Sequence, residues 1–289
     1  MCTRERKLRY TMVVKITDVD HAGHAAVELV DGRTRMRIVH DVGPRIAFFG
    51  RRDNLLYWDD EGAHRRGEWR LYGGHRFWIA RPGADESEET YAPDNEPCRV
   101  RKLADGVAIT APVDAMKIEK TLVVRAREGV WTVEHRLRNA SDMLWAGGAW
   151  GLTATKPRRS TRYRIPLDGG EPGWDVVTVV IPRSWGGGHT SRIADPQFTF
   201  TDDALEFRSR GVEGKRMVYA PRGTLEMSDE RGTFTKSARA QPGGTYPYGA
   251  NLAAYLAPRS FMVELETMST ALTLLPGRTV AHAETWTFR

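Results

Sequence analysis

The chain of 289 residues has only two cysteines, Cys2 and Cys98. Two are too few for a disulfide framework. Neither belongs to a CxxC pair or has metal-ligand spacing around it, so no cysteine-bound metal is expected. Cys98 reads as a small filler rather than a nucleophile. Long apolar runs are missing too. The longest uncharged stretch, residues 240–258, is broken by Pro242, Gly243, Gly244, Pro247, Gly249 and Asn251. No membrane span is expected from it. The opening Met1-Cys-Thr-Arg-Glu-Arg-Lys lacks the apolar segment of a signal peptide, which makes the cytoplasm the expected location. There is no GxxxxGK[ST] loop, no GxSxG elbow and no HExxH pair. His21 and His24 sit in an Asp-His-Ala-Gly-His turn without a third ligand pattern, and read as surface histidines. Neither a cofactor nor a bound metal is therefore expected. RNA-recognition and zinc-finger patterns are absent. The net charge is +6, but the arginines are spread among acids instead of forming a basic stripe. That charge reads as solvated surface, and the partner expected is a small molecule rather than nucleic acid or a membrane.

Alternation with a period of two is present almost throughout. Such alternation puts every second residue on one face of a strand. Val13 to Val19 and Ala25 to Val30 read as an early strand pair, followed after Asp31-Gly32 by a strand from Met36. Met116 to Val124 and Trp131 to Leu137 flank a turn at Arg127-Glu-Gly129. The second of these puts Trp131, Val133, His135 and Leu137 on one face. Phe198-Thr-Phe, Ala204 to Phe207, Met217-Val-Tyr, Thr224 to Met227 and Gly232 to Thr235 continue the pattern. Short strands with turn residues between them imply an all-β antiparallel sandwich or barrel. No compositional break or fixed repeat divides the chain. Residues 1–12 read as a loose tail and 13–289 as one domain. Segments near Trp185-Gly-Gly-Gly188 and Gln241-Pro-Gly-Gly244 read as long loops, where binding residues often lie.

Several segments carry residues suited to chemistry. In Phe261-Met-Val-Glu-Leu-Glu-Thr267, the apolar Phe261, Val263 and Leu265 alternate with Glu264 and Glu266. The two carboxylates then share a face roughly 6–7 Å apart. They either face a wet groove as an acid/base pair or form a solvated strand surface. In Tyr72-Gly-Gly-His-Arg-Phe-Trp78, the glycines permit close backbone approach or a bulge. Arg76 offers a forked donor to hydroxyls, Trp78 a platform for a sugar ring, and His75 a group that moves a proton near neutral pH. Taken alone, His75 reads first as a histidine that satisfies local hydrogen bonds. Asp94 and Asn95, in Tyr91-Ala-Pro-Asp-Asn-Glu-Pro97, suit capping a turn or bonding a ligand. Trp145 to Thr153, rich in glycine and tryptophan, suits a pocket wall or a packed central strand. Tyr246-Pro-Tyr-Gly-Ala-Asn251 is a further aromatic loop.

Together these segments, with Gly43-Pro-Arg-Ile46, Leu275-Pro-Gly277 and Glu284-Thr-Trp286, resemble the galactose-mutarotase-like (aldose 1-epimerase-like) superfamily. The resemblance is to its uncharacterised bacterial members and runs from about residue 40 to the end. It implies a supersandwich of two large antiparallel sheets with a carbohydrate site in the concave face. It also implies aldose 1-epimerase-like chemistry: Leu265-Glu266-Thr267 matches the context of the family's glutamate base. The base takes a proton from the anomeric hydroxyl while a histidine protonates the ring oxygen. The mid-chain strand that carries that histidine in the family corresponds here to Gly147 to Thr153, which has none. The resemblance therefore leaves His75 as the acid or as a binding group. It leaves Glu264 as a supporting residue or as the base in another register. It makes Arg45, Arg76, Trp78, Asp94, Asn95, Tyr246 and Asn251 candidates for substrate binding. A non-catalytic sugar-binding or regulatory protein on the same scaffold is the rival reading.

Overall fold

The computed structural model describes residues 14–81, 88–168 and 176–289; the expected loose tail, with Cys2, lies outside them. Two large antiparallel sheets stack face to face. The larger has eleven strands. Its order is Lys15–His21, His24–Asp31, Thr34–Val39, Arg45–Gly50, His75–Ala80, Trp145–Thr155, Val263–Met268, Leu252–Leu256, Gly214–Tyr219 and Thr178–Val180, with Leu272–Leu274 also pairing with Trp145–Thr155. The smaller has ten, from Phe198–Phe200 through Ala204–Phe207, Arg162–Pro166, Thr224–Asp229, Gly232–Ser237, Thr279–Phe288, Val130–Asn139, Ile118–Arg127 and Gly106–Thr110 to Arg99–Lys102. Among the described residues, the α-helix is confined to the single turn Glu88–Tyr91. The all-β antiparallel sandwich read from the sequence is the fold observed.

The alternation works as expected where a strand has one wet face. In Val130–Asn139, Trp131, Val133, His135 and Leu137 are buried and the residues between them are not. The turn before it has positive φ at Glu128 and Gly129, which matches the right-handed twist of the two strands it joins. Inward residues of both sheets interlock into one core. Val27, Ile38, Phe49 and Leu265 come from the larger sheet; Val124, Trp131, Met227, Phe234 and Trp286 come from the smaller. The Phe49 ring meets Trp131, Phe234 and Trp286 edge-on, with centroids 5.4–5.9 Å apart, a favoured arrangement of aromatic quadrupoles.

The glycine pair Gly73-Gly74 makes a close backbone approach. Both have positive φ, +85° and +70°. A Cβ on Gly74 would lie 2.3 Å from the Ile46 carbonyl oxygen, and one on Gly73 would lie 2.5 Å from that of Tyr57. The Gly74 amide donates to Tyr57 at 2.7 Å, and its carbonyl accepts from Ala154 at 2.9 Å. The turn therefore fixes where His75–Ala80 enters the sheet between Arg45–Gly50 and Trp145–Thr155. Trp185-Gly-Gly-Gly188, expected as a long loop, is instead a tight hairpin: Ser184–Trp185 pairs with His189–Thr190 across a single 3-10 turn.

Candidate active site

The outward face of the larger sheet, turned away from the smaller one, carries the candidate site. On Val263–Met268, Val263 and Leu265 enter the intersheet core, so by period two Glu264 and Glu266 turn outward. Glu264 lies beside Ala154 and Tyr255 in register; Glu266 lies beside Leu152 and Ala253. The two alanines leave room above the floor. A cavity of about 370 Å³ opens there, walled by Trp69, Trp78, Tyr91, Trp185, Tyr255 and Phe261. Its polar lining includes Arg76, Glu264, His189 and Glu213. A cavity of this size, mostly aromatic with a few convergent polar groups, is the general form of a small-molecule site.

Cations and indole rings alternate along this face. The Arg76 guanidinium lies 4.6 Å from the Trp78 ring centroid and 5.8 Å from that of Trp69. It also donates through Nη2 to Glu264 Oε1. The Lys215 ammonium lies 4.9 Å from the Trp150 ring and 5.8 Å from Trp185, and 3.1 Å from Glu266 Oε1. Trp150 Nε1 donates to Glu266 Oε2 at 3.0 Å. The two carboxylates thus have different settings. Glu264 belongs to the cavity wall, while Glu266 is fully buried beneath Trp150 and Lys215. Burial pushes the Glu266 carboxyl up from its ordinary value; Lys215 opposes this, and the nearby Glu264 adds to it.

His75 lies elsewhere. Arg76 and Trp78 occupy one face of His75–Ala80; His75 is on the other, fully buried between the sheets. It reaches no ligand in this cavity. A polar network surrounds it. His135 Nδ1 donates to the His282 carbonyl at 3.0 Å, which leaves its Nε2 to accept from His75 Nε2–H at 2.7 Å. His75 Nδ1 then accepts from the Thr153 hydroxyl at 2.9 Å. The Lys236 ammonium donates to Thr153 Oγ1, Gly151 O and Leu265 O at 2.8–3.0 Å and lies 3.0 Å from Glu284 Oε1. Trp286 Nε1 and the Thr267 hydroxyl complete the shell of Glu284 at 2.7 and 2.5 Å. Burial holds His75, His135 and His282 below their usual value, His282 at about 3. Burial alone would push Glu284 up; Lys236 and the histidines outweigh it and hold the carboxyl far below its ordinary range.

His75, His135 and Glu284 are also the one set among the described residues with donor atoms close enough to share a metal ion. The geometry fits a hydrogen-bonded network better. Two nitrogens bound to one tetrahedral zinc stand about 3.3 Å apart, from Zn–N bonds near 2.0–2.1 Å; here the two imidazole nitrogens are 2.7 Å apart. Lys236 already supplies the positive charge that Glu284 needs.

Of the other candidate residues, Arg76 and Trp78 line the cavity, and five do not. Arg45 is buried, bonded to the carbonyls of Val42, Gly73 and Asp94, with its Nη2 3.2 Å from Asp94 Oδ2. Asp94 accepts from Trp69 Nε1 at 2.8 Å, and Asn95 bonds both backbone groups of Arg70. Burial would raise the Asp94 carboxyl, but Arg45, Arg76 and the Trp69 N–H hold it below its usual range. These three residues brace the strand that presents Trp69 to the cavity. The Tyr246 hydroxyl accepts from the Gln241 amide, and Asn251 pairs with both backbone groups of Ala220.

The architecture has close counterparts among solved structures. A protein provisionally named aldose 1-epimerase from Escherichia coli K12 aligns with a TM-score of 0.64 at 11% identity, over 96% of this chain and 99% of that one. A galactose mutarotase-like protein from Lactobacillus casei aligns at 0.62 and 10% identity, over 91% and 100%. The chain has the galactose-mutarotase-like fold. A galactose mutarotase related enzyme from Lactobacillus acidophilus shares it too, at 0.61 and 9% identity, over 91% and 97%. No protein-family model and no curated protein matches the chain. At such identities the likeness is one of fold, and the mutarotase-like scaffold by itself fixes no reaction.

Residues that the sequence reading missed also line the cavity. His189, Glu213 and Tyr255 stand at its wall, and Lys215 and Trp150 cover Glu266. Their positions come from three separate strands and a hairpin, so no spacing in the sequence announces them. Lys215, sitting in a strand buried along most of its length, was the one visible signal: a lysine there needs a buried anionic partner.

Proposed function

We propose that this chain is a carbohydrate-active protein, acting as an aldose 1-epimerase-like sugar isomerase in the aromatic cavity of the larger sheet. The observation that carries the reading is Glu264, a carboxylate on the wall of an indole-lined cavity with Arg76 beside it. Trp78 and Trp69 offer flat faces to the C–H side of a sugar ring. Arg76 offers N–H donors to ring hydroxyls. In this reading Glu264 takes the proton from the anomeric hydroxyl. The C1–O5 bond opens as O5 gains a proton, the aldehyde rotates, and closure gives the other anomer. Glu266 supports it from below: its charge holds Lys215 and the Trp150 indole in place. His75 acts from the far face, orienting the central strands through Thr153.

The rival reading, a sugar-binding protein without catalysis, draws on one observation. Both carboxylates already have cationic partners, Arg76 and Lys215. Polarimetry of freshly dissolved α-D-glucose and α-D-galactose separates the two. Wild type should speed the approach to anomeric equilibrium, and Glu264→Gln should abolish that effect while keeping the fold. Glu266→Gln should lower turnover less. Tryptophan fluorescence that reports sugar binding by a wild type with no effect on mutarotation would establish the binding reading instead.

A further inference from the structure

The cavity holds a second pair of titratable groups, one on the hairpin and one just before the strand Gly214–Tyr219. His189 Nδ1 lies 2.7 Å from Glu213 Oε1. Glu213 is itself fixed: its Oε2 accepts from the Thr190 amide at 3.0 Å, and its Oε1 accepts from the Tyr255 hydroxyl at 2.7 Å. Burial would push its carboxyl up, but Thr190, His189 and Tyr255 outweigh this and keep it below its ordinary value. The imidazole is also held by its faces. It stacks on Trp185 at 22° with centroids 5.4 Å apart, and meets Tyr255 at 80°. The hairpin makes this stack, since Trp185 and His189 are cross-strand partners in it.

The consequence is a ring with one defined orientation. A carboxylate accepts only, so Nδ1 carries its proton toward Glu213, and the ring's other nitrogen is left to work. Nε2 makes no hydrogen bond among the described residues, and His189 lines the same cavity as Glu264. An imidazole anchored through one nitrogen to a carboxylate, with the second nitrogen open to a cavity, is the arrangement of an oriented general acid/base.

We propose that His189, held by Glu213, is the proton carrier that works opposite Glu264 in this cavity. The proposal rests on the isomerase reading above and assigns the group which that reading leaves open. In the opening step, Glu264 accepts the O1 proton, the O1 lone pair forms the C1=O bond, and the C1–O5 bond breaks. O5 keeps that electron pair and takes the proton from Nε2 of the doubly protonated His189 ring, which is left neutral with its Nδ1 proton directed at Glu213. In closure, O5 attacks C1, returns its proton to Nε2, and O1 recovers its proton from Glu264. No oxidant or further reactant is consumed.

The test uses His189→Asn, whose amide nitrogen occupies roughly the place of Nδ1 and keeps the contact with Glu213, yet carries no titrating proton. Polarimetric rates on α-D-glucose and α-D-galactose, with thermal unfolding as a check on the fold, should show kcat lowered roughly 10²–10⁴-fold and KM within several-fold. Glu213→Gln should lower kcat as well, with KM near that of wild type, because the ring loses its anchor. Three outcomes would overturn the proposal. If kcat of His189→Asn stays within threefold of wild type, the dyad has no part in proton transfer and the isomerase reading survives. If only KM rises, His189 binds the sugar and carries no proton. If wild type accelerates neither sugar, the isomerase reading fails and the dyad's role falls with it.

Discussion

Replacing Lys236 with methionine should destabilise this protein substantially. The ammonium is fully buried and sits 3.0 Å from Glu284 Oε1 while bonding three further oxygens. Methionine keeps the length of the side chain, so little volume is lost. What remains is a buried carboxylate whose cation has gone. Breaking a buried pair from one side costs about 3–5 kcal/mol, because the surviving charge is uncompensated. The Trp286 and Thr267 donors still reach Glu284, which places the expected loss toward the lower end of that range. Urea unfolding at pH 7 should show a lower midpoint with an unchanged slope. The double variant Lys236→Met/Glu284→Gln should recover at least about 1 kcal/mol of that loss, as expected for groups in direct contact. The single variant should also lose less at pH 5 than at pH 7, since Glu284, freed of Lys236, can escape its cost by taking a proton. A loss below about 1 kcal/mol, or a double variant no better than the single, would refute the view that this pair is an electrostatic unit.

Two further predictions concern the same scaffold. Gly74→Ala should destabilise the protein by more than the roughly 1 kcal/mol of an ordinary strained position, since its Cβ would lie 2.3 Å from a carbonyl oxygen at φ +70°; a chemical-unfolding midpoint equal to wild type would contradict this. Burial lowers His75, His135 and His282 from their usual value, whereas in the unfolded chain they titrate near 6.5. The unfolded chain therefore takes up more protons as the pH falls, and stability, complete above about pH 6.5, should decline below it by at most about 4 kcal/mol per pH unit for the three together. Glu284, whose value is depressed, adds its own loss as the pH falls through the ordinary carboxylate range and below it. Urea midpoints that stay level from pH 7.5 to 5 would refute the assignment.

The sheet arrangement was legible because burial on one face forces alternation. Trp131, Val133, His135 and Leu137 show it, and so do Val263 and Leu265 against Glu264 and Glu266. The facing of His75 was not legible, for a physical reason. His75–Ala80 is buried on both faces, so its sequence has no polar-apolar rhythm. Only pairing with Trp145–Thr155, where His75 meets Thr153, fixes its parity. Arg45, Asp94, Asn95, Tyr246 and Asn251 were singled out by the resemblance and by their polar side chains. The groups that suit a sugar hydroxyl suit buried protein partners equally well: here Arg45, Asn95, Tyr246 and Asn251 serve the backbone, and Asp94 serves Trp69 and Arg45. Nor could the sequence join His189 to Glu213, because the hairpin and the neighbouring strand bring them together only after folding.

The six residues of Val263–Met268 belong to two machines at once. Val263, Leu265 and Thr267 look inward, and the Leu265 carbonyl and the Thr267 hydroxyl are both tied to the Lys236–Glu284 network. Glu264 and Glu266 look outward. A collection of natural or laboratory variants of this strand should thus fall into two interleaved classes. Changes at odd positions should lower the amount of folded protein. Changes at the even positions 264 and 266 should alter what the protein does, at a cost in folded protein set by the buried cations they leave unpaired, Arg76 and Lys215. Selection for robustness and selection for a new ligand therefore meet on neighbouring codons of one strand.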